Sequence, residues 1–150
     1  MSGFLSKNPN ATKKAGELLG RELRDFIWQG PRAFFITLSG ELGSGKTLFT
    51  KGIARGLGVR GLVHSPTFLL MKRYPLSKSL FFKNLWHVDC YRVEDPKELF
   101  VVGFRDIAQD PENIVVVEWP ERIKKSITKD SFQVSFEHDS PSTRKLFFHT

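Results

Sequence analysis

Cysteine is almost absent from this sequence, since Cys90 is the only one among 150 residues. A single thiol excludes a disulfide within the chain, and we expect Cys90 to be a small buried residue. Long apolar runs are missing as well, because no stretch approaches the roughly 18 consecutive apolar residues of a membrane span. The opening MSGFLSKNPN also lacks the hydrophobic segment of a secretory signal. We therefore expect a cytoplasmic protein with no membrane partner.

Acidic side chains are scarce relative to basic ones, with 16 Asp and Glu against 23 Lys and Arg and a net charge of +7. Residues 91–120 reverse this balance: they contain three basic and seven acidic residues, which leaves +11 for the rest of the chain. An acidic face can dock a basic partner, but a solvated helix surface is the simpler explanation and the one we favour. The composition, 40% hydrophobic and 26% charged, is typical of a globular protein. We expect one domain across residues 1–150.

The spacing of apolar residues predicts helices and strands in alternation. Residues 11–29 have the three- and four-residue spacing of an amphipathic helix, which we expect to end at Gly30-Pro31. Residues 33–39 form an apolar, β-branched run typical of a buried parallel strand. A second helical pattern begins at Lys46, and Gly58 is placed to cap it.

The second half of the chain is richer in strands. The sequence predicts extended segments at 67–73 and 85–90, a short helix at 94–99 and a compact strand at 114–117. Two alternating strands are predicted at 132–137 and 145–149. The last two segments suit an antiparallel pair, and residues 74–83 form a polar, basic loop. The expected fold is an α/β sandwich of the P-loop NTPase type, with a mostly parallel central sheet flanked by helices and antiparallel C-terminal strands.

Residues 40–47, here called the Gly40 loop, read GELGSGKT and fit the phosphate-binding pattern G-x-x-x-x-G-K-[ST] between a predicted strand and a predicted helix. Its glycines permit positive φ, so successive backbone N–H groups can point at phosphate oxygens, and the following helix adds its dipole. Lys46 would reach the β- and γ-phosphates, and the Thr47 hydroxyl would coordinate magnesium. The sequence therefore predicts a site for ATP or a close relative with Mg²⁺.

Two acids follow predicted core strands. Glu118 ends the strand at 114–117, where the metal-holding carboxylate of such a site belongs, and Asp89 ends the strand at 85–90. The plain alternative for each is a helix cap or a turn acid. We favour a structural role for His87. The hydroxyls of Ser65 and Thr67 are candidates for a switch loop that senses a γ-phosphate, although a local turn is the alternative.

Four segments in this order resemble the TsaE family over about residues 12–123: the Gly40 loop, SPTF at 65–68, HVDCYR at 87–92 and EWPER at 118–122. The family consists of P-loop ATPases of bacterial tRNA threonylcarbamoyladenosine biosynthesis, which act with the TsaB and TsaD proteins on the adenosine next to the anticodon. The resemblance implies a Mg²⁺-dependent ATPase that meets these two partners directly and tRNA through their complex.

The resemblance also implies roles for individual residues. Lys46, Asp89 and Glu118 would be catalytic, with Lys46 on phosphate and Asp89 near the γ-phosphate or the attacking water. Thr47 and Glu118 would hold magnesium. Ser44 stands where alanine is usual, and Arg144 belongs to the part that resembles the family least. The expected nucleotide contacts are Glu41, Leu42, Gly43, Ser44, Gly45, Lys46, Thr47, Leu48, Thr67, Asp89, Trp119 and Arg144.

Three other functions compete with this interpretation. A small-molecule kinase on the same loop needs an acceptor pocket and a lid, and the chain shows no arginine-rich lid insertion. A regulatory GTPase needs an N-K-x-D motif for guanine, which the sequence lacks. A basic RNA-binding module leaves the Gly40 loop and both acids unexplained. Because no in-cis arginine finger is recognisable, we expect weak ATPase activity in isolation and acceleration by partners.

Overall fold

The computed structural model describes residues 2–61, 63–66 and 70–150, and these residues build one seven-stranded sheet with helices on both faces. In chain order, the elements are β1 (Ser2–Ser6), α1 (Pro9–Arg24), β2 (Phe34–Gly40), α2 (Lys46–Gly56), β3 (Met71–Pro75), β4 (Asn84–Asp89), α3 (Lys97–Val101), α4 (Phe104–Gln109), β5 (Asn113–Glu118), a 3₁₀ helix (Pro120–Ser126), β6 (Phe132–His138) and β7 (Arg144–His149).

The strands lie in the order β1-β7-β6-β2-β5-β4-β3. The four central strands β6, β2, β5 and β4 run parallel to one another, whereas β1, β7 and β3 pair antiparallel at the two edges. The register aligns Leu38 of β2 and Asp89 of β4 with Glu118 of β5. The carboxyl ends of three parallel strands therefore meet at one edge. The expected mixed α/β sheet, with β6 and β7 as an antiparallel pair, is confirmed.

Alternate residues of the central strands pack into two hydrophobic cores, one on each face of the sheet. On one face, Ile36 and Val116 join Phe49 and Ile53 of α2. On the other, Val115 and its neighbours pack against α3, α4 and the 3₁₀ helix through Leu99, Phe104 and Ile123. All six residues of β5 are buried, as a strand covered on both faces should be.

Glycines bring α1 and α2 into backbone contact. A Cβ atom added at Gly52 would lie 2.1 Å from the Lys13 carbonyl oxygen, and one at Gly16 would lie 2.2 Å from the Phe49 carbonyl oxygen. Gly20 and Gly56 are equally tight against the facing backbone. Because no side chain fits between the two helices, α1 fixes the position of α2 and of the loop that precedes it.

Helix α1 ends at Arg24, so the predicted helix at 11–29 is too long by five residues at this end. The aromatic side chains that continue the helical spacing pack instead against β2, with the Trp28 and Phe34 ring centroids 5.0 Å apart and those of Phe26 and Phe34 5.7 Å apart. The Trp28 indole N–H donates to the Arg32 carbonyl at 2.7 Å, which fixes a non-helical turn. Tertiary packing has overridden local periodicity here.

Other predicted boundaries shift for similar reasons. Strand β1 and the 3₁₀ helix after Trp119 have no counterpart in the predicted elements. The predicted strand at 67–73 contributes only its end to β3, and residues 67–69 lie outside the described residues.

Cys90 is buried as expected, and desolvation, followed by the nearby Asp89, Glu121 and Glu118 charges, raises its pKa to about 12. In the described part of the chain, every helix is too short or too polar for a membrane span.

We predict that Gly52→Ala lowers the free energy of unfolding by about 1–3 kcal/mol, because its methyl group must displace the Lys13 backbone. The matched control is Gly3→Ala in β1, where an added Cβ meets its nearest atom at an ordinary 3.5 Å. Chemical denaturation of both variants measures the difference. Equal stability of the two would contradict the close packing of α1 on α2.

Candidate functional site

A cavity of about 520 Å³ lies at the carboxyl edge of the central strands. The Gly40 loop, which follows β2, lines the cavity. Asp89 and Glu118, the last residues of β4 and β5, line it as well. The cavity is lined by Leu42, Gly43, Ser44, Gly45, Lys46, Thr47, Leu48, Lys51, Ser65, Asp89, Tyr91, Arg92, Glu118 and Trp119. Of the twelve nucleotide contacts expected from the sequence, nine line this cavity; Glu41 and Arg144 do not appear among its lining residues, and Thr67 lies outside the described residues.

The Gly40 loop has the backbone that its glycines were expected to provide. Gly43 and Gly45 adopt left-handed conformations with φ of 77° and 103°, which residues with a side chain rarely adopt. Gly45 is the N-cap of α2, so Lys46 and Thr47 form the first turn of a helix whose N-terminal end opens into the cavity. The positive end of a helix dipole at this place favours an anion.

Lys46 is held at the wall of the cavity. Its ammonium group donates hydrogen bonds to the carbonyl oxygens of Gly40 and, at 3.0 Å, of Glu41, and it lies 4.1 Å from the centroid of a Trp119 ring. The residue is 5% exposed. Burial lowers the lysine pKa, and the negative charges of Glu118, Glu121 and Asp89 act in the opposite direction. A bound anion would likewise favour the protonated, charged form.

The carboxylate of Glu118 is shared by two neighbours. The Thr47 hydroxyl donates to it from 3.1 Å to both Oε1 and Oε2, and His87 Nε2 contacts Oε2. His87 is fully buried and Glu118 is 3% exposed. A carboxylate removed from water needs such polar partners. His87, which we expected to be structural, therefore contacts Glu118, one of the two candidate acids. Its position in the sequence did not predict this contact.

Asp89 ends β4, the strand next to that of Glu118, and lines the same cavity. Its Oδ2 accepts a hydrogen bond from the Ser65 hydroxyl at 3.1 Å, and its Oδ1 accepts one from the Tyr91 backbone N–H at 3.0 Å. The first bond ties the segment at 63–66 to the end of β4. Thr67, expected to be the switch-loop residue, lies outside the described residues, so its role stays a prediction.

The oxygen atoms of Thr47 and Glu118 suit a hard divalent cation. Among the residues that the structure describes, no group of three or more His, Cys, Asp and Glu is arranged to hold a metal ion. Mg²⁺ fits two protein ligands, because it keeps several waters and takes further ligands from the phosphate oxygens of the substrate. A cation that needs all of its ligands from protein side chains does not fit. The Thr47 hydroxyl in contact with both Glu118 oxygens is the observation that supports this fit.

Several residues around the cavity were not assigned from the sequence. Lys51, Tyr91 and Arg92 line it, and the Tyr91 and Trp119 rings lie 5.0 Å apart. Tyr91 and Arg92 belong to the HVDCYR segment, so the motif itself was the available signal. Lys51 had no signal beyond its place one turn after Thr47. Arg144 does not line the cavity, but its guanidinium donates to the Gly43 carbonyl at 3.3 Å and braces the Gly40 loop from β7.

Comparison with known proteins identifies the relatives of this chain. The family described as "Threonylcarbamoyl adenosine biosynthesis protein TsaE" matches residues 6–146. The tRNA threonylcarbamoyladenosine biosynthesis protein TsaE of Bacillus subtilis is 34% identical over 75% of this chain and 67% of its own length. The Haemophilus influenzae protein of the same name is 38% identical over 61% of this chain, but the match spans only 54% of the relative.

Two further comparisons extend over nearly the whole chain. The Treponema pallidum TsaE protein is 28% identical over 95% of this chain and 96% of its own length. The crystal structure of Bacillus subtilis YdiB superposes with a TM-score of 0.69 at 27% identity, covering 98% of this chain and 83% of that one. With a family match over residues 6–146, this chain belongs to the TsaE family of threonylcarbamoyl adenosine biosynthesis proteins.

Proposed function

We propose that this protein is the Mg²⁺-dependent, ATP-binding and ATP-hydrolysing component of the tRNA N6-threonylcarbamoyladenosine modification machinery, and that it works with TsaB and TsaD. The proposal places the Gly40 loop in a P-loop NTPase fold. The observation that carries it is the meeting of Lys46, the Thr47–Glu118 pair and Asp89 in one cavity at the N-terminus of α2. Membership of the TsaE family supplies the pathway.

Phosphate binding falls to the Gly40 loop and to Lys46. The N-terminal turn of α2 and the loop's backbone N–H groups would face the phosphates, because the glycines leave no side chain in the way. The Lys46 ammonium would exchange its carbonyl partners at Gly40 and Glu41 for β- and γ-phosphate oxygens, which are charged and therefore stronger acceptors. The Trp119 ring would keep that ammonium aimed into the cavity.

The two acids would divide the remaining work. Thr47 and Glu118 would hold the cation, and His87 would keep the Glu118 carboxylate in place by its contact with Oε2. When bound, Mg²⁺ supplies positive charge that neutralises the developing charge on the transferred phosphoryl group. Asp89, one strand away, would orient the attacking water, with its own rotamer fixed by Ser65 and Tyr91.

We predict that Glu118→Gln and Asp89→Asn each reduce Mg²⁺-dependent ATP hydrolysis by about 10²-fold, the typical loss on removing one charged group from a transition state. Nucleotide binding should persist, because Lys46 and the loop are unchanged. Glu22→Gln is the control, since it makes the same chemical change on an exposed acid of α1 that does not line the cavity. Phosphate release and ADP affinity are measured for all three. Parental hydrolysis rates in both site variants would show that the acids are only structural.

The surface that would meet TsaB or TsaD comprises α3 and the residues next to it. The exposed acids Glu94 and Glu98 precede an apolar strip in which Val101 is 86% exposed and Phe100 and Val102 are 38% and 49% exposed. Large exposed apolar groups with a charged rim are typical of protein–protein contacts. The sequence analysis favoured a solvated surface for the acidic stretch at 91–120. The exposed apolar strip favours a docking surface instead, because a solvated helix has no need of exposed apolar side chains.

We predict that TsaB and TsaD together raise the ATPase rate at least tenfold, and that Glu94→Lys with Glu98→Lys removes most of this response. An arginine supplied by a partner is worth about 10³- to 10⁵-fold elsewhere. Asp95 is left unchanged because its side chain accepts the Lys97 N–H at 3.0 Å and so holds the turn that leads into α3. The control reverses Glu22 and Glu137, which lie on α1 and β6. A full rate in isolation would contradict assistance, and an equal response of both variants would contradict this surface.

A further inference from the structure

A second cavity of about 320 Å³ is lined by residues of α1, of α2 and of the chain after α2, at positions 59, 61, 63 and 64. Four of its lining residues are basic or can become so: Lys13, Lys51, Arg55 and His64. The remaining lining residues are Val59, Gly61 and Val63, so no carboxylate lines the cavity in the described part of the chain. We call the four side chains the α1–α2 basic pocket.

The nearest acid neutralises this pocket only in part. Glu17 gives its Oε1 to Arg21 at 2.7 Å, whereas its Oε2 lies 3.9 Å from the Arg55 Nε. Its closer partner is thus Arg21, which lies outside the pocket. Three cations, Lys13, Lys51 and Arg55, therefore share one carboxylate, and the pocket keeps a net positive charge.

The fold holds these cations together at a cost. The backbone contact of Gly52 with Lys13 brings the two basic helix faces side by side, and like charges at short range repel one another. Lys51 lines both this pocket and the first cavity. Three cations from two neighbouring helices, with one shared carboxylate, suit an extended chain of phosphates better than a single anion.

We propose that the α1–α2 basic pocket binds the phosphodiester backbone of RNA at a place separate from the nucleotide site. The choice of RNA over another polyanion rests on the proposed function in tRNA modification. The contacts are with phosphates and carry no sequence information, because the described lining consists of cations, His64, Gly61 and two valines and has no Phe, Tyr or Trp ring for stacking on bases. A direct contact of this kind would add to the indirect one through TsaB and TsaD.

The test measures binding of a fluorescently labelled RNA anticodon stem-loop by anisotropy, without nucleotide, over a series of salt concentrations. The pocket variant is Lys13→Gln with Arg55→Gln; neutral residues are used because a reversed charge would repel Glu17. Lys51 is kept because it also lines the nucleotide cavity. The control is Lys124→Gln with Lys125→Gln, which removes the same charge from the 3₁₀ helix on the opposite face of the sheet.

The pocket variant should bind the RNA at least tenfold more weakly, and its slope of log affinity against log salt should be about 1.5 units shallower, since each lost phosphate contact accounts for roughly 0.7–0.9. The RNA affinity of the control variant should stay within about twofold of that of the parental protein. If affinity depended only on total charge, the control would bind as weakly as the pocket variant. ADP affinity should be unchanged in the pocket variant. That readout separates this proposal from the ATPase proposal, which is tested by nucleotide binding and hydrolysis and does not depend on the RNA affinity.

Three results would overturn the proposal. The first is no RNA binding by the parental protein up to about 100 µM, the weak end of non-specific affinities. The second is equal weakening in the pocket variant and the control, which would assign the binding to total charge. The third is displacement of the RNA by polyglutamate at equal charge concentration, which would make the pocket a site for any polyanion.

Discussion

The site is organised around one buried anion, the carboxylate of Glu118. At 3% exposure it cannot keep its charge by hydration, and it relies on the Thr47 hydroxyl and on His87. Lys46, which is also buried, gains from the same charge, because Glu118 is the largest of the electrostatic effects that oppose the lowering of its pKa by burial. Removal of Glu118 would leave both the Thr47 hydroxyl and His87 Nε2 without this partner, so its carboxylate links the side chains of the site.

The parallel register of the sheet brings that unit together. Glu118 lies opposite Leu38 on one side and Asp89 on the other, so the Gly40 loop, which follows β2, and both acids arrive at the same edge. The glycine contacts of α1 with α2 hold the first turn of α2 against this edge, and Arg144 braces the loop from β7. Elements from both ends of the chain thus support a cavity that is lined by residues from the middle of the chain.

Much of this arrangement could be predicted from the sequence, where local signals were strong. The buried strand before the Gly40 loop, the helix that starts at Lys46 and the strand that ends in Glu118 follow from apolar runs bounded by glycines or acids. Features decided by distant contacts could not be predicted. Strand β1 exists only through its pairing with β7, Phe26 leaves the helical pattern to pack on Phe34, and the contact of His87 with Glu118 depends on the register of β4 and β5.

The central claim is that the Gly40 loop holds nucleotide phosphates through Lys46, and calorimetric titration with a non-hydrolysable ATP analogue and Mg²⁺ tests it most directly. The parental protein and Lys124→Ala should bind one equivalent, since Lys124 lies on the 3₁₀ helix away from the loop. Folded Lys46→Ala should lose at least about 10²-fold in affinity, because only backbone dipoles and the metal then compensate the phosphate charge. Equal affinity in all three proteins would contradict the account.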